Sequence, residues 1–163
     1  MSDNLISQIP ITLSQQTMWD QRFFELCDLI SSWSEDESRK VGAVIVGKAN
    51  EIRSTGYNGL PRGVSASDRN RQSHRDGEKY FWFEHAERNA IYNAARVGIP
   101  LDNCIIYSSV FPCADCARAI VQSGISELRS FPFPKNDKTY SKSFEVAASI
   151  FKETNLRIKL FER

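Results

Sequence analysis

The spacing of apolar residues predicts a polar N-terminal arm followed by one layered domain. Residues 1–16 show no regular apolar spacing, so we expect an arm that is either mobile or docked on a neighbouring subunit. Thr17 can cap a helix that ends in the charged turn 34–38. The apolar face of that helix is predicted from Trp19, Phe23, Leu26, Ile30 and Trp33. The domain is therefore predicted to span residues 17–163.

The middle of the chain predicts a hairpin and then alternating helices and strands. Short apolar runs at 41–46 and 51–57 flank the turn residues 47–50, which is typical of two antiparallel strands. A helix is predicted to begin at His85, with an apolar stripe at Ala90, Ile91, Ala94 and Ala95. The pattern then predicts a strand at 103–109, a helix at 113–122 and a strand at 127–131.

The last third of the chain predicts how the final strands pair. Residues 143–153 have helical apolar spacing and separate the fourth strand from a fifth at 156–161. A crossover of this length is what parallel neighbours require, whereas antiparallel neighbours need only a tight turn. We therefore predict a three-layer α-β-α fold whose five-stranded mixed sheet has strands 4 and 5 parallel. The turn-rich link 132–137 is expected to overhang a pocket at the strand ends.

Composition favours a small-molecule partner in a reducing compartment. The 163 residues carry a net charge of +1, which provides no overall field for nucleic acid. No segment reaches the ~20 apolar residues of a membrane span, and the N-terminus lacks the basic and apolar regions of a secretory leader. Four cysteines in a chain of this length do not form a disulfide framework. We expect a cytoplasmic protein without a membrane or nucleic-acid partner.

His85, Glu87, Cys113 and Cys116 carry the candidate chemistry. One imidazole and two thiolates can hold a zinc ion and leave its fourth position open, as in catalytic zinc sites. Pro112 presets the start of a helix, so the two cysteines lie one turn apart on its first turn. Zinc lowers the pKa of bound water toward ~7. Glu87 is left to transfer protons, and we predict one zinc ion per subunit.

A structural zinc site is the simpler alternative for a C-x-x-C pair, but it needs a fourth protein ligand. The remaining candidates are Cys27, Cys104 and His74. Cys27 lies on the first predicted helix, Cys104 begins an apolar strand, and His74 lies in a polar loop. None has the spacing of a ligand motif, so the catalytic site is favoured.

H-x-E followed by P-C-x-x-C is the signature of zinc nucleobase deaminases. Beyond this signature, residues 40–46, 56–63, 111–113 and 116–125 resemble the deoxycytidylate deaminase family, and the similarity extends from about Trp19 to Phe131. The G-Y-N-G-L-P-R-G element at 56–63 is the most specific part. This resemblance implies a cytidine deaminase-like fold and zinc-dependent hydrolysis of dCMP to dUMP with release of ammonia, in support of dTMP synthesis.

The resemblance also implies nucleotide and effector residues. Nucleotide contacts are expected from Asn58, Arg62, Ala86, Phe111 and Pro112. Gly59 and Arg96 are expected to belong to a switch that responds to dCTP, with Mg²⁺, and to dTTP in a homohexamer. From the residues alone, Asn58 is also a good turn residue, and Arg96 fits the C-terminal end of a helix without any ligand.

The insertion 62–79 is locally basic and can bind phosphate, although no single arginine stands out and a solvated loop has the same composition. The aromatic segment 80–83 is expected to form a pocket wall rather than a stacking platform.

Four other functions remain open. A tRNA adenosine deaminase usually has methionine inside its P-C-x-M-C motif, where this chain has Ala114 and Asp115. Free cytidine deaminases normally have cysteine in place of His85. A purine nucleotide deaminase acting on GMP shares the zinc chemistry, because the pocket selects the ring. A nucleotide sensor without turnover would not need Glu87.

Overall fold

The computed structural model describes residues 9–133, 137 and 139–163, with the side chain of Asp76 excepted. Residues 1–8 of the predicted arm and residues 134–136 of the predicted link 132–137 lie outside the described residues. The strands are β1 (Gly42–Val46), β2 (Ile52–Tyr57), β3 (Ile105–Ser108), β4 (Glu127–Ser130) and β5 (Arg157–Leu160). The helices are α1 (Met18–Ser31), α2 (Glu78–Trp82), α3 (Ala86–Val97), α4 (Ala114–Gln122) and α5 (Ser141–Glu153).

The strands form one mixed sheet in the order β2-β1-β3-β4-β5. β1 pairs antiparallel with β2 and with β3, and the predicted hairpin is thus confirmed. β3 and β4 are parallel, as are β4 and β5, which confirms the prediction for the last two strands. Each parallel pair is joined through one helix, α4 or α5, as a crossover between parallel strands requires.

Two apolar cores occupy opposite faces of the sheet and confirm the three-layer fold. Alternate side chains of β1 divide between them: Ala43 and Ile45 face one core, while Val44 and Val46 face the other. The first core is formed with α3, α4 and α5, and the second with α1. The sheet is therefore the buried middle layer of an α-β-α arrangement.

Helix α1 begins as predicted but presents a different face to the sheet. Thr17 accepts a hydrogen bond from the backbone N–H of Asp20, and Asp20 caps Thr17 in return. The buried side chains are Asp20, Phe23, Phe24, Cys27 and Ile30. The predicted face was wrong at Trp19, which is 39% exposed, and at Trp33, which is 57% exposed. Trp33 follows the helix and lies edge-on against Tyr57 instead.

Two glycines allow the helices to approach the sheet closely. A Cβ atom at Gly56 would lie 2.3 Å from the backbone nitrogen of Ala90, so only glycine lets β2 contact α3 at this point. A Cβ atom at Gly42 would lie 2.0 Å from the carbonyl oxygen of Cys27 on α1. The first contact places the N-terminal end of α3 against the sheet, where the candidate site lies.

The described part of the arm lies on its own domain. The backbone N–H of Ile11 donates to Leu160, and Glu162 donates to the carbonyl of Ile11 at 2.8 Å. The side chain of Gln16 donates to the carbonyl of Glu162. Residues 11 and 16 thus contact the end of β5 and the residue after Phe161, while the prediction for the arm as a whole stays a prediction. Among the described helices, none has the length and apolar character needed to cross a membrane.

Candidate active site

The N-terminal ends of two helices bring the predicted zinc ligands together. His85 is the N-cap of α3, Cys113 is the N-cap of α4, and Cys116 lies in the first turn of α4. The Nδ1 atom of His85 lies 3.4 Å from Sγ of Cys113 and 3.5 Å from Sγ of Cys116. Zn–N and Zn–S bonds of normal length at a tetrahedral angle separate such atoms by about 3.6 Å. The three residues therefore fit a zinc ion.

Within the described ranges, these three residues form the one group of His, Cys, Asp or Glu side chains close enough to share a metal ion. Cys27, Cys104 and His74 are not part of it. Three protein ligands and no fourth from the described residues correspond to the donor set of a catalytic zinc site.

The two thiols differ in acidity. The hydrogen bond from Cys116 has the largest effect on the Cys113 thiol and lowers its pKa. Contact with the His85 imidazole lowers it further, so the pKa of Cys113 is about 4 in spite of burial. The same hydrogen bond, together with burial, raises the pKa of Cys116. These shifts favour the thiolate form of Cys113 and the protonated form of Cys116, and both thiols have to be deprotonated to act as metal ligands.

Glu87 lies beside this cluster on the first turn of α3 and is 3% exposed. Its Oε1 atom accepts a hydrogen bond from Ser108 Oγ at 3.1 Å, and its Oε2 atom accepts one from Cys116 Sγ at 3.4 Å. Burial raises the pKa of the Glu87 carboxyl group. The structure thus places a buried carboxyl group next to the metal ligands without including it among them.

The cluster opens into a pocket lined by both apolar and charged side chains. Its aromatic wall includes Phe83, Phe111, Tyr140 and Phe144. Polar lining comes from Asp36, Ser38, Arg39, Asn58, His74, Lys79, Asp137 and Thr139. An apolar wall with a few convergent polar groups is typical of a small-molecule site.

A buried ion pair anchors one side of this pocket. Lys79 Nζ lies 2.6 Å from Asp36 Oδ2, and the two side chains are 8% and 3% exposed. Asp36 also accepts hydrogen bonds from the backbone of Ser38 and Arg39, at 2.8 and 3.1 Å. These contacts hold the 34–39 loop in one conformation against the pocket.

The Asn58 side chain completes this anchor. Its Oδ1 atom accepts from the backbone of Val41 at 2.7 Å, and its Nδ2 atom donates to Asp36 and to the carbonyl of Arg39, both at 2.8 Å. Asn58 therefore lies in the pocket wall, as expected for a nucleotide contact, but its amide group is used to hold the 34–39 loop.

Arg39 is a pocket residue that the sequence analysis missed. Its Nη2 atom donates to Asp137 at 2.8 Å, and its guanidinium carbon lies 5.9 Å from the centre of the Tyr140 ring. The side chain is 45% exposed, so the remaining N–H groups of the guanidinium are accessible. The available signal was its position directly after the charged turn 34–38 and three residues before β1 begins at Gly42.

The other predicted nucleotide residues differ in whether they reach the pocket. Ala86 and Phe111 line the pocket, whereas Pro112 is fully buried beside it. Arg62 lies outside the set of described residues that line the pocket and hydrogen-bonds to Asn93 instead.

The predicted effector residues lie away from the pocket lining. Gly59 pairs through its backbone with Glu84, at 2.8 and 3.0 Å. Arg96 is exposed on the last turn of α3.

The basic insertion is mostly occupied by contacts within the chain. Arg69 faces Glu37 at 3.4 Å, and Arg71 donates to the carbonyl of Ser65 and covers the ring of Trp82. Neither arginine is among the described residues that line the pocket. Within the aromatic segment 80–83, Tyr80 and Phe83 form pocket wall, whereas Phe81 is 82% exposed.

Comparison with known families gives one match over most of the chain. Residues 17–130 match the model of the cytidine and deoxycytidylate deaminase zinc-binding region. The matched segment contains all three candidate zinc ligands and Glu87.

Relatives of known sequence agree with this match. The chain is 38% identical over 142 residues to an uncharacterized deaminase of Aliivibrio fischeri, covering 86% of this chain and 91% of that protein. It is 36% identical over 113 residues to the deoxycytidylate deaminase of Homo sapiens, covering 68% of this chain. That match covers 62% of the human protein, so the chain spans less than two thirds of its length.

A solved structure has the same fold. The dCMP deaminase of cyanophage S-TIM5, in complex with dCMP and dUMP, superposes with a TM-score of 0.74 and 20% identity, over 90% of this chain and 98% of that one. At this level of identity the superposition supports the fold and leaves the chemistry to the residues of the site.

Proposed function

Because this chain belongs to the cytidine and deoxycytidylate deaminase family, we propose that it is a zinc-dependent deaminase that hydrolyses dCMP to dUMP and releases ammonia. The observation that carries this proposal is the juxtaposition of buried Glu87 with the His85, Cys113 and Cys116 ligand set at a pocket. Substrate identity is supported by the deoxycytidylate deaminases among the relatives.

The mechanism assigns binding to three residues and proton transfer to one. His85, Cys113 and Cys116 would hold zinc, which when bound supplies an activated water and neutralises negative charge. Glu87 takes a proton from the water that attacks C4 of the cytosine ring and delivers it to N3. It then carries the second proton to the departing amino group, so the C4–N bond breaks and ammonia leaves.

The pocket wall is suited to the flat ring of a nucleobase. The aromatic side chains of Phe111 and Tyr140 provide apolar surface for a flat ring, and Asn58 and Ala86 belong to the same wall. Their proposed role is to contact the nucleotide beside Glu87.

Arg39 is the proposed contact for the phosphate group. It lines the pocket and is 45% exposed, while Lys79 is buried against Asp36. A guanidinium group suits a phosphate because its N–H groups can donate in pairs. Arg62 was predicted as a nucleotide contact, and no arginine was singled out for phosphate. Since Arg62 lies outside the described pocket lining, we assign the phosphate contact to Arg39.

Assembly and regulation are proposed on the family resemblance alone. On this basis the protein is a cytoplasmic homohexamer that supplies dUMP for dTMP synthesis. dCTP with Mg²⁺ activates it and dTTP opposes that effect, through a switch that includes Gly59 and Arg96. The exposed position of Arg96 on the last turn of α3 is compatible with a contact between subunits.

Ammonia release by the zinc-loaded protein tests the substrate. The panel contains dCMP, CMP, deoxycytidine, GMP and dAMP, each with and without dCTP plus Mg²⁺. We expect release from dCMP, together with loss of turnover by a factor of about 10² to 10⁴ in Glu87→Gln at unchanged zinc content. Activity confined to a purine nucleotide would overturn the substrate, and a fully active Glu87→Gln would overturn the mechanism.

A further inference from the structure

Ser108 is the last residue of β3, and its side chain reaches the carboxyl group of Glu87. It is fully buried, and its Oγ atom lies 3.1 Å from Glu87 Oε1 and 2.8 Å from the carbonyl oxygen of Val110. Neither the family signature nor the sequence analysis points to this position. From this geometry we propose that Ser108 is a positioning residue, whose hydroxyl fixes the direction of the Glu87 carboxyl group.

The carboxyl group needs such a partner because its own bonds do not orient it. The terminal torsion of a glutamate is broad, so a carboxyl group turns freely unless hydrogen bonds hold it. The other side-chain contact of Glu87 among the described residues is with Cys116 Sγ at 3.4 Å. That sulfur is itself a proposed zinc ligand, which leaves Ser108 as the hydrogen-bonding side chain from outside the metal cluster among the described residues.

Backbone hydrogen bonds on both sides of Ser108 fix the position from which its hydroxyl group projects. Ser108 pairs with Ala43 on one side and with Ser130 on the other, in the centre of the sheet. The next residue, Ser109, donates its backbone N–H to Gly42 and accepts from the N–H of Gly42 through its hydroxyl, both at 3.0 Å. The Ser108 side chain therefore projects from a segment held on both sides.

A hydroxyl group also suits a partner that carries protons. It has one hydrogen to donate and lone pairs to accept with. While Glu87 is ionised, Ser108 donates to it. While Glu87 carries a proton between water and substrate, Ser108 accepts that proton's hydrogen bond and donates to the carbonyl of Val110. One side chain thus holds the carboxyl group through both stages, which a backbone N–H group could not do.

The experiment compares Ser108→Val with Ser108→Thr. The two variants add the same branch to the buried site, so they differ in the hydroxyl group rather than in shape. The positioning role of Ser108 rests on the proposed deaminase function. The experiment measures kcat and KM for dCMP, together with the zinc content of each sample. We expect Ser108→Val to lose about 10- to 100-fold in kcat per bound zinc, with KM changed less than threefold, while Ser108→Thr stays within about threefold of wild type.

Ser130 provides the matched control. It is fully buried opposite Ser108 on β4, and its hydroxyl bonds to the carbonyl of Phe131 at 3.2 Å. Ser130→Val and Ser130→Thr are expected to have the same kcat. Equal kcat in the two Ser108 variants would overturn the proposal, as would a loss that follows zinc content.

Crystal structures of the zinc-loaded variants give a readout that does not depend on turnover. We expect a single Glu87 rotamer in wild type and Ser108→Thr, and more than one in Ser108→Val. If Ser108→Val does not fold, Ser108→Ala takes its place in both measurements. A wild-type protein silent on every nucleotide would overturn the proposed function, whereas an unchanged Glu87 rotamer in Ser108→Val would overturn the positioning role.

Discussion

Replacing Lys79 with methionine tests whether a buried charge pair holds the pocket loop. Lys79 Nζ lies 2.6 Å from Asp36 Oδ2, and both side chains are less than a tenth exposed, at 8% and 3%. Methionine keeps the length and the apolar contacts of the lysine stem. It leaves the carboxylate of Asp36 buried without its counter-charge, and an uncompensated buried charge destabilises the folded state.

The expected loss follows from burial and from what remains around Asp36. Removing one partner of a buried pair costs about 3–5 kcal/mol. Asp36 keeps hydrogen bonds from Ser38, Arg39 and Asn58, so we expect the lower end, about 3 kcal/mol. For a domain of this size, that corresponds to a fall in Tm of about 6–12 °C. Because the 34–39 loop carries Arg39, the KM for dCMP should rise more than kcat falls.

Urea unfolding of the zinc-loaded protein measures this loss. The control is Lys142→Met, since Lys142 is 85% exposed and lies 3.6 Å from Glu145, and its loss should cost under about 0.5 kcal/mol. Asp36→Asn and the double variant complete a cycle, whose coupling energy should exceed about 1 kcal/mol. The reasoning is refuted if Lys79→Met costs no more than Lys142→Met or if the two losses are additive.

Three further predictions follow from the same structure. Arg39→Ala should raise the KM for dCMP about tenfold or more and leave that for deoxycytidine nearly unchanged, as expected for loss of a charge-assisted contact to phosphate; equal changes would contradict the phosphate role. Dialysis against a chelator should remove one zinc per subunit, abolish turnover and lower Tm, and added zinc should restore activity and Tm. Elemental analysis measures the zinc content and calorimetry measures Tm. Burial alone would raise the pKa of Asp36, but hydrogen bonds from Lys79, Ser38 and Arg39 outweigh it and lower that pKa. The Asp36 carboxylate therefore stabilises the folded protein at pH values above its ordinary pKa of about 3.9, and this stabilisation is lost as the pH falls below that value. In Asp36→Asn, the free energy of unfolding should accordingly fall less steeply on the acid side.

Local patterns in the sequence were sufficient to select the candidate zinc ligands and to predict one parallel strand pair. His85 and Cys113 are helix N-caps, and Cys116 is one turn from Cys113, so two short motifs identify all three residues. The contact between His85 and Cys113 joins positions 28 apart, and only the structure shows it. The parallel pairing of β4 and β5 follows from the length of the crossover that joins them.

The predicted face of α1 was right at Phe23 and Ile30 and missed Asp20, because the pattern counts only apolar residues. Asp20 is buried, since its carboxylate accepts from Tyr107 at 2.9 Å and from Arg129 at 2.6 Å. A charged residue that finds such partners joins the buried face. The spacing of apolar residues does not predict this, because the partners lie on β3 and β4.

The contacts that shape the pocket were beyond sequence analysis for the same reason. Lys79 and Asp36 are 43 positions apart, Arg39 and Asp137 are 98 apart, and Ser108 and Glu87 are 21 apart. Each pair joins segments that are distant in the sequence and lie close together in the folded domain. The basic insertion 62–79 therefore suggested a phosphate site, whereas the arginine that lines the pocket is Arg39, directly after the charged turn 34–38.

The residues proposed to hold zinc and to move protons lie apart from the residues proposed to contact phosphate. The first group lies at the N-terminal ends of α3 and α4, and Glu87 of α3 contacts Ser108 at the end of the central strand. The residues proposed to contact phosphate lie on the 34–39 loop, which is held by Asp36 and Asn58 rather than by the zinc ligands. Changes at the first group should lower kcat at nearly constant KM, and changes at the loop should do the reverse. A Lys79 variant that lowered kcat while KM stayed constant would mean that the loop and the proton-transfer group are coupled through the buried pair, and that the pocket works as one unit.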